Sequence, residues 1–155
     1  MSKRTRSLLD YTFVWIASVE VEIGSDGKPI EYMPQNRYSK AKTAKLNKHG
    51  AGPFCRIKLT SLPKVSGVYL IAINNDVTYI GKAECLAERW GPRNYAVISP
   101  RNCFKGGQST NCKINNRILL AKREGIPVDL WFLETDNHSK IERQLIDELN
   151  PPWKN

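Results

Sequence analysis

The chain has 155 residues, the length of one ordinary domain, and at 41% hydrophobic and 25% charged it has a globular composition. Its 24 Lys and Arg against 15 Asp and Glu give a formal net charge of +9, which points to a polyanionic partner, most often nucleic acid. No apolar run approaches the ~20 residues of a spanning helix, and none follows the basic MSKRTRSLLDY start, so no membrane partner and no signal peptide are expected and the chain reads as cytoplasmic.

Tyr11, Phe13, Trp15, Ala17, Val19, Val21 and Ile23 recur with a period of two, which predicts a strand with one apolar face. Val14 and Ile16 make its other face partly apolar as well. Gly24-Ser25-Asp26-Gly27 is a turn, and residues 29–33 return as a second strand, giving an N-terminal β-hairpin over 11–33. Residues 34–65 read as a basic connector, with 34–52 a loop that DNA would order.

GVYLIAI at 67–73 and VTYI at 77–80 flank Asn74-Asn75-Asp76, which predicts a second hairpin. A short helix over 83–90 is stopped by Gly91-Pro92, and 91–108 is irregular. Ser109 or Thr110 caps a helix running to about Glu124, with Gly125 as its stop. PVDLWFL at 127–133 is a further strand, and a last helix over 139–149 ends before Pro151-Pro152. The expected architecture is one α/β (α+β) domain: a small antiparallel three-stranded sheet flanked by helices, with the N-terminal hairpin as an extension.

The positive charge is concentrated. No acid lies between Glu31 and Asp76, and none between Glu88 and Glu124. The second stretch carries Arg89, Arg93, Arg101, Lys105, Lys113 and Arg117. Such a run is most often a solvated face, but two in one small chain favour phosphate contact, which supplies affinity without sequence specificity. The four cysteines, at 55, 85, 103 and 112, contain no C-x-x-C, and His49 and His138 stand apart from them. They read as buried thiols, with a cysteine-metal scaffold as the alternative. Two histidines leave little material for a Ser-His-Asp or Cys-His site.

Tyr69 and Tyr79 lie on the two strands of the second hairpin, at similar distances from its turn, so the phenols can approach across the ladder. They read either as a packing pair or as chemistry. Gly81 ends the strand and lets backbone approach something closely; Lys82 follows it, and Arg89 lies one turn beyond Leu86. On a helical wheel Glu142 falls in the same arc as Ile141, Leu145, Ile146 and Leu149. A carboxylate on that side needs a partner, a metal ion or a shifted pKa. The alternative is a capping box, Ser139-Lys140-Ile141-Glu142, at the start of the helix.

GVY at 67–69, TYIGKA at 78–83, Leu86 and Arg89, then Glu142 with Leu145 and Ile146 and the late NPPW, resemble in order and spacing the GIY-YIG nucleases. The resemblance spans 66–155, and ISPRNCFKGGQSTNCKIN is similar to an insert of small bacterial members that include restriction enzymes. The N-terminal hairpin and the NPPW ending are similar to a phage endonuclease of that family. The resemblance implies a GIY-YIG core over 66–155 in which Tyr69 and Tyr79 are catalytic phenols, one of them helping to deprotonate the attacking water. It implies that Arg89 holds the scissile phosphate and that Glu142 binds a single divalent metal. Where the family often has Tyr or His four residues after the arginine, this chain has Arg93; the family's late asparagine falls at Lys154, with Asn155 one place beyond.

Phosphodiester hydrolysis needs an activated water, charge neutralisation and a stabilised leaving oxygen. A phenol of pKa near ~10 is a weak base at neutral pH unless cations such as Arg89 and Lys82 lower it. With no second acid between Glu88 and Glu124, a one-metal hydrolase is expected, using Mg2+ with Mn2+ as a substitute and no organic cofactor. The expected function is a metal-dependent DNA endonuclease, restriction-like or phage-like, acting on double-stranded DNA. Lys82, Arg93, Arg101, Lys105, Lys113, Arg117 and Asn155 are the expected DNA contacts. Cutting both strands with one site per chain calls for a homodimer or two binding events. The alternatives are a non-cleaving nucleic-acid-binding module and a structure-specific repair nuclease.

Overall fold

GVYLIAI is apolar on both faces, and such a strand belongs in the middle of a covered sheet. In the computed structural model, which describes residues 3–153, it forms strand β5 (Gly67–Ile73), with every residue but the last buried. The expectations placed on Lys154 and Asn155 lie outside the described residues. On one side β5 pairs with β6 (Asp76–Ala83), on the other with β7 (Val128–Glu134), both antiparallel. Asn74 and Asn75 carry the β5–β6 turn at φ 51° and 72°, the left-handed backbone that asparagine tolerates in two-residue hairpin turns.

The sheet has five strands, not the expected three. β1 (Thr5–Leu8) and β2 (Tyr11–Ser18) form a hairpin, and β2 pairs with the free edge of β7, giving the order β1-β2-β7-β5-β6. The N-terminal hairpin of this sheet is thus Thr5–Ser18 rather than 11–33 and is part of the main sheet rather than an extension of it, while the expected turn at 24–27 does form, with Ile23 bridging Pro29 and Ile30 N–H donating to Glu22 O. The physical reason is the unpaired edge of β7, whose N–H and C=O groups need partners. The apolar run from Tyr11 also does not continue as one strand: Glu20–Val21 (β3) pairs instead with Ile57–Lys58 (β4).

The chain folds as two compact units. The first comprises the chain up to Val19, Thr60–Arg89 and the part from Ile126 onward. It holds the five-stranded sheet, the short helix α1 (Leu86–Arg89) and helix α3 (His138–Leu149). Its core joins Val68, Leu70, Ala72, Ile80 and Trp131 on one sheet face with Ile141 and Leu145 of α3. Each of the Val, Leu and Ile side chains among them contributes about 1.5–3 kcal/mol on burial.

The second unit comprises Glu20–Leu59 and Trp90–Gly125, with β3, β4 and helix α2 (Ser109–Arg123). Here the 34–52 stretch is not a loop awaiting DNA. Its Tyr38, Ala41 and Ala44 pack against a cluster of Phe54, Ile98, Cys103, Phe104 and Cys112. Asn47 donates from Nδ2 to the carbonyls of Asn102 (2.6 Å) and Phe104 (3.2 Å), and Lys105 N–H donates to Lys45 O. Among the described residues no helix is long and apolar enough to cross a membrane.

Candidate active site

Tyr69 and Tyr79 sit on one face of the β5–β6 hairpin, the face opposite to that of Val68, Leu70 and Ile80. In the register Tyr69 faces Gly81 and Tyr79 faces Ile71, so the two phenols are diagonal neighbours, with ring centroids 6.2 Å apart and planes tilted by 39°. Both are buried, at 1% and 7% exposure.

Gly81 lies inside β6 rather than at its end, and what approaches it is the phenol of Tyr69. A Cβ at position 81 would overlap Cζ and Oη of Tyr69 and lie 2.8 Å from Cε2. Gly67, at the head of β5, is similarly crowded: a Cβ there would lie 2.6 Å from the Phe132 ring. The two glycines of the motifs thus make room for rings on the tyrosine face. Gly81→Ala is expected to cost about 1–3 kcal/mol of stability by overpacking and to displace the Tyr69 phenol. Thermal unfolding together with the near-ultraviolet signal of the tyrosines checks this; an unchanged midpoint and signal would contradict the close approach.

Glu142 is half-buried on α3 and reaches the outer edge of β6, where the backbone N–H of Lys82 donates to its carboxylate. Burial pushes its pKa above the ordinary carboxylate value. The Lys82 charge, the Lys82 backbone hydrogen bond, His138 and Arg143 act in the opposite direction, more weakly. The capping box is not formed. α3 begins at His138, its cap position is Asn137 without a side-chain cap bond, and Ser139 Oγ accepts instead from Lys82 Nζ at 3.0 Å. Farther along the same edge Trp153 N–H donates to Thr78 O at 2.9 Å. The otherwise open side of β6 is therefore lined by the C-terminal part of the chain.

Arg89 closes α1 and is half-buried. That four-residue helix is held by Leu86 N–H to Val65 O (3.0 Å) and Ala87 N–H to Pro63 O (3.2 Å). Ser139, which orients Lys82, was missed by sequence reasoning; its only signal was its place in the supposed capping box.

The other expected DNA contacts lie in the second unit. Arg93 is exposed with φ 70°, an uncommon backbone for a non-glycine residue. Arg101 and Lys105 are exposed, Arg101 donating to Gly106 O at 3.5 Å. On α2, Arg117 is exposed and Lys113 is buried.

Among the described residues no three His, Cys, Asp or Glu side chains gather as a metal cage. A divalent ion at Glu142 would have one protein carboxylate and otherwise water, which suits Mg2+, an ion that dehydrates reluctantly. Cys103 and Cys112 are buried thiols, Cys103 Sγ donating to Ser99 O and Cys112 Sγ to Asn102 O, and among the described residues no group of three metal-ligating side chains includes them. Burial raises the Cys55 thiol to about 12.

The fold is similar to that of bacteriophage T4 EndoII. A mutant of that protein superposes with a TM-score of 0.50 and 24% identity, covering 72% of this chain and 87% of that chain. No protein-family model and no curated protein matches the sequence. The likeness to T4 EndoII extends over most of both chains and concerns the fold alone.

Proposed function

We propose that this protein is a divalent-metal-dependent DNA endonuclease of the GIY-YIG type, restriction-like or phage-like. The observation that carries the reading is Glu142. Its carboxylate is drawn into a half-buried position against Lys82 at the edge of β6, it has no capping role, and β6 also bears Tyr79 and, at Gly81, the seat of Tyr69. The fold neighbour is named EndoII, an endonuclease by name, and the net charge of +9 suits a polyanionic substrate.

In this reading one of the two phenols takes the proton of the attacking water, while Arg89 neutralises the scissile phosphate. Lys82 holds the Glu142 carboxylate in place through its backbone N–H and lends positive charge beside it. Mg2+, or Mn2+ in its stead, held by Glu142 and otherwise by water, would supply charge neutralisation and stabilise the leaving oxygen. No step calls for an organic cofactor, and a homodimer would supply one site per strand of the duplex.

Exposed Arg101 and Lys105 would contact phosphates. Replacing both with Ala is expected to reduce the slope of log affinity against log salt by about 0.9 per lost contact, measured by DNA binding in EDTA. An unchanged slope would leave them as a solvated face.

One observation favours a second reading, a nucleic-acid-binding module without cleavage: Tyr69 is 1% exposed, the burial of a packing residue. Incubating the protein with mixed linear, supercoiled and branched DNA in Mg2+, then mapping the ends, separates the readings. Discrete fragments identify a restriction-like enzyme, and cuts confined to branched DNA a structure-specific repair nuclease. Binding without new ends identifies the module.

A further inference from the structure

The two acid-free stretches of the sequence meet in the second unit. Between them is a cavity of about 180 Å³ lined by Lys48, His49, Ala51, Gly52, Lys113, Asn116 and Arg117. Lys113, Asn116 and Arg117 recur at i, i+3 and i+4 and so form one face of α2. The facing wall is the 48–52 turn, and it is fixed in place. Asn116 Nδ2 donates to Pro53 O (2.8 Å), Gln35 Nε2 donates to Ala51 O (2.9 Å), and His49 N–H donates to Asn47 Oδ1 (3.0 Å). Gly50 permits the turn, because a Cβ there would lie 2.7 Å from the carbonyl carbon of Cys103.

Among the described residues no carboxylate lines the cavity. Lys113 is 5% exposed, a burial that a merely solvated lysine avoids. Burial, Arg117 and Lys48 lower its ammonium to about 8, and burial, Lys113, Lys48 and Arg117 lower the His49 imidazole. Those causes place the four cationic or protonatable groups within each other's fields. The fold therefore holds like charges together at a cost, and a bound anion would remove that cost. A depressed lysine contributes stability that is present above its unfolded value and lost as pH falls through about 8, so at pH 7 the charged Lys113 weakens the free protein.

We propose that this cavity is an oxyanion site that holds one phosphate group between Lys48, Lys113 and Arg117, with the Asn116 amide and His49 on its wall. It shares no residue with Tyr69, Tyr79, Arg89 and Glu142. A tetrahedral, multiply charged oxyanion suits a site with three cationic side chains and no acid better than a monovalent carboxylate does. The phosphate can belong to a nucleic-acid backbone or be a free phosphate. Phosphate binding itself does not depend on the nuclease reading; its assignment to bound DNA rests on that reading.

The test uses the full chain and inorganic phosphate, titrated at constant ionic strength against chloride, with the thermal midpoint and the 31P line width as readouts. Wild type is expected to show a saturating rise in midpoint with broadening. Lys113→Met should lose at least about tenfold in phosphate affinity, as befits removal of a charge-assisted hydrogen bond. It should stay folded, with a phosphate-free midpoint at pH 7 no lower than wild type, because a crowded cation is gone. Arg117→Gln, at an exposed position, gives a second reading of the same site. A non-saturating wild-type response, or equal responses in all three proteins, would overturn the proposal. A duplex lacking terminal phosphates, added to the phosphate complex, then separates the sources. Release of the phosphate assigns the site to a DNA backbone, and DNA binding without release assigns it to free phosphate. DNA that fails to bind at all would sink the nuclease reading while leaving the phosphate site standing.

Discussion

Tyr69→Phe and Tyr79→Phe are expected to fold as wild type does and to lose cleavage, by about 10²–10⁴-fold for whichever phenol is the general base. The substitution isolates chemistry from packing. Tyr69 lies over Gly81 and Tyr79 beside it at 6.2 Å, and phenylalanine keeps each ring in its place while removing only the hydroxyl. The stability change should stay near the ~1 kcal/mol of a single hydrogen bond. Rates under single-turnover conditions, with thermal midpoints on the same preparations, check this. Two variants that cleave at wild-type rate would make the pair a packing contact and nothing more.

Glu142→Gln is expected to have the larger effect, a loss of about 10³-fold or more in cleavage, since metal stabilisation of transition-state charge is worth several kcal/mol. Glutamine keeps the shape and can still accept from the Lys82 N–H, but it is a poor Mg2+ ligand. Burial raises the Glu142 pKa, so the fold favours the neutral form. The associated stability is present below the ordinary carboxylate value and is lost as pH rises through the raised one. The variant should therefore unfold at or above the wild-type midpoint at pH 7, and the two midpoints should converge in acid, where the native carboxyl is itself neutral. DNA affinity in EDTA should equal or exceed that of wild type, because a negative charge facing phosphate has gone. A midpoint at pH 7 well below wild type would contradict the direction of the shift.

The central hairpin was legible because its signals are local. β-branched and aromatic runs around Asn74-Asn75 need φ > 0 at the turn, and both asparagines have it. The last helix was legible from the period of Ile141 and Leu145, and both are buried. The strand from Tyr11 was legible from its period of two, but β1 and the place of β2 in the main sheet were not, although β2 carried a hint: Val14 and Ile16 make its second face apolar, as befits a strand taken into a larger sheet rather than a solvated hairpin. Which edge it would join depends on the unpaired side of β7, more than 100 residues later, and no local pattern encodes that.

The 34–52 stretch misled for a related reason. Its order comes from side-chain amides bonding to distant carbonyls, such as Asn47 to Asn102 and Phe104, and polar composition hides such bonds. At the candidate site, the wheel placed Glu142 on the covered side, but the choice between capping box and buried acid waited on the position of one residue, Asn137, as the helix cap. The convergence of Lys48 and His49 with Lys113 and Arg117 was visible only as two acid-free stretches, because sequence distance says nothing about which basic residues share a cavity.

The most direct measurement is nicking of supercoiled plasmid by excess protein, wild type beside Glu142→Gln, in Mg2+ and in EDTA. Conversion to nicked or linear DNA by wild type in Mg2+ only, and none by the variant in either buffer, is the expected result. Equal conversion by both proteins, or none by wild type while it binds the plasmid, would contradict it.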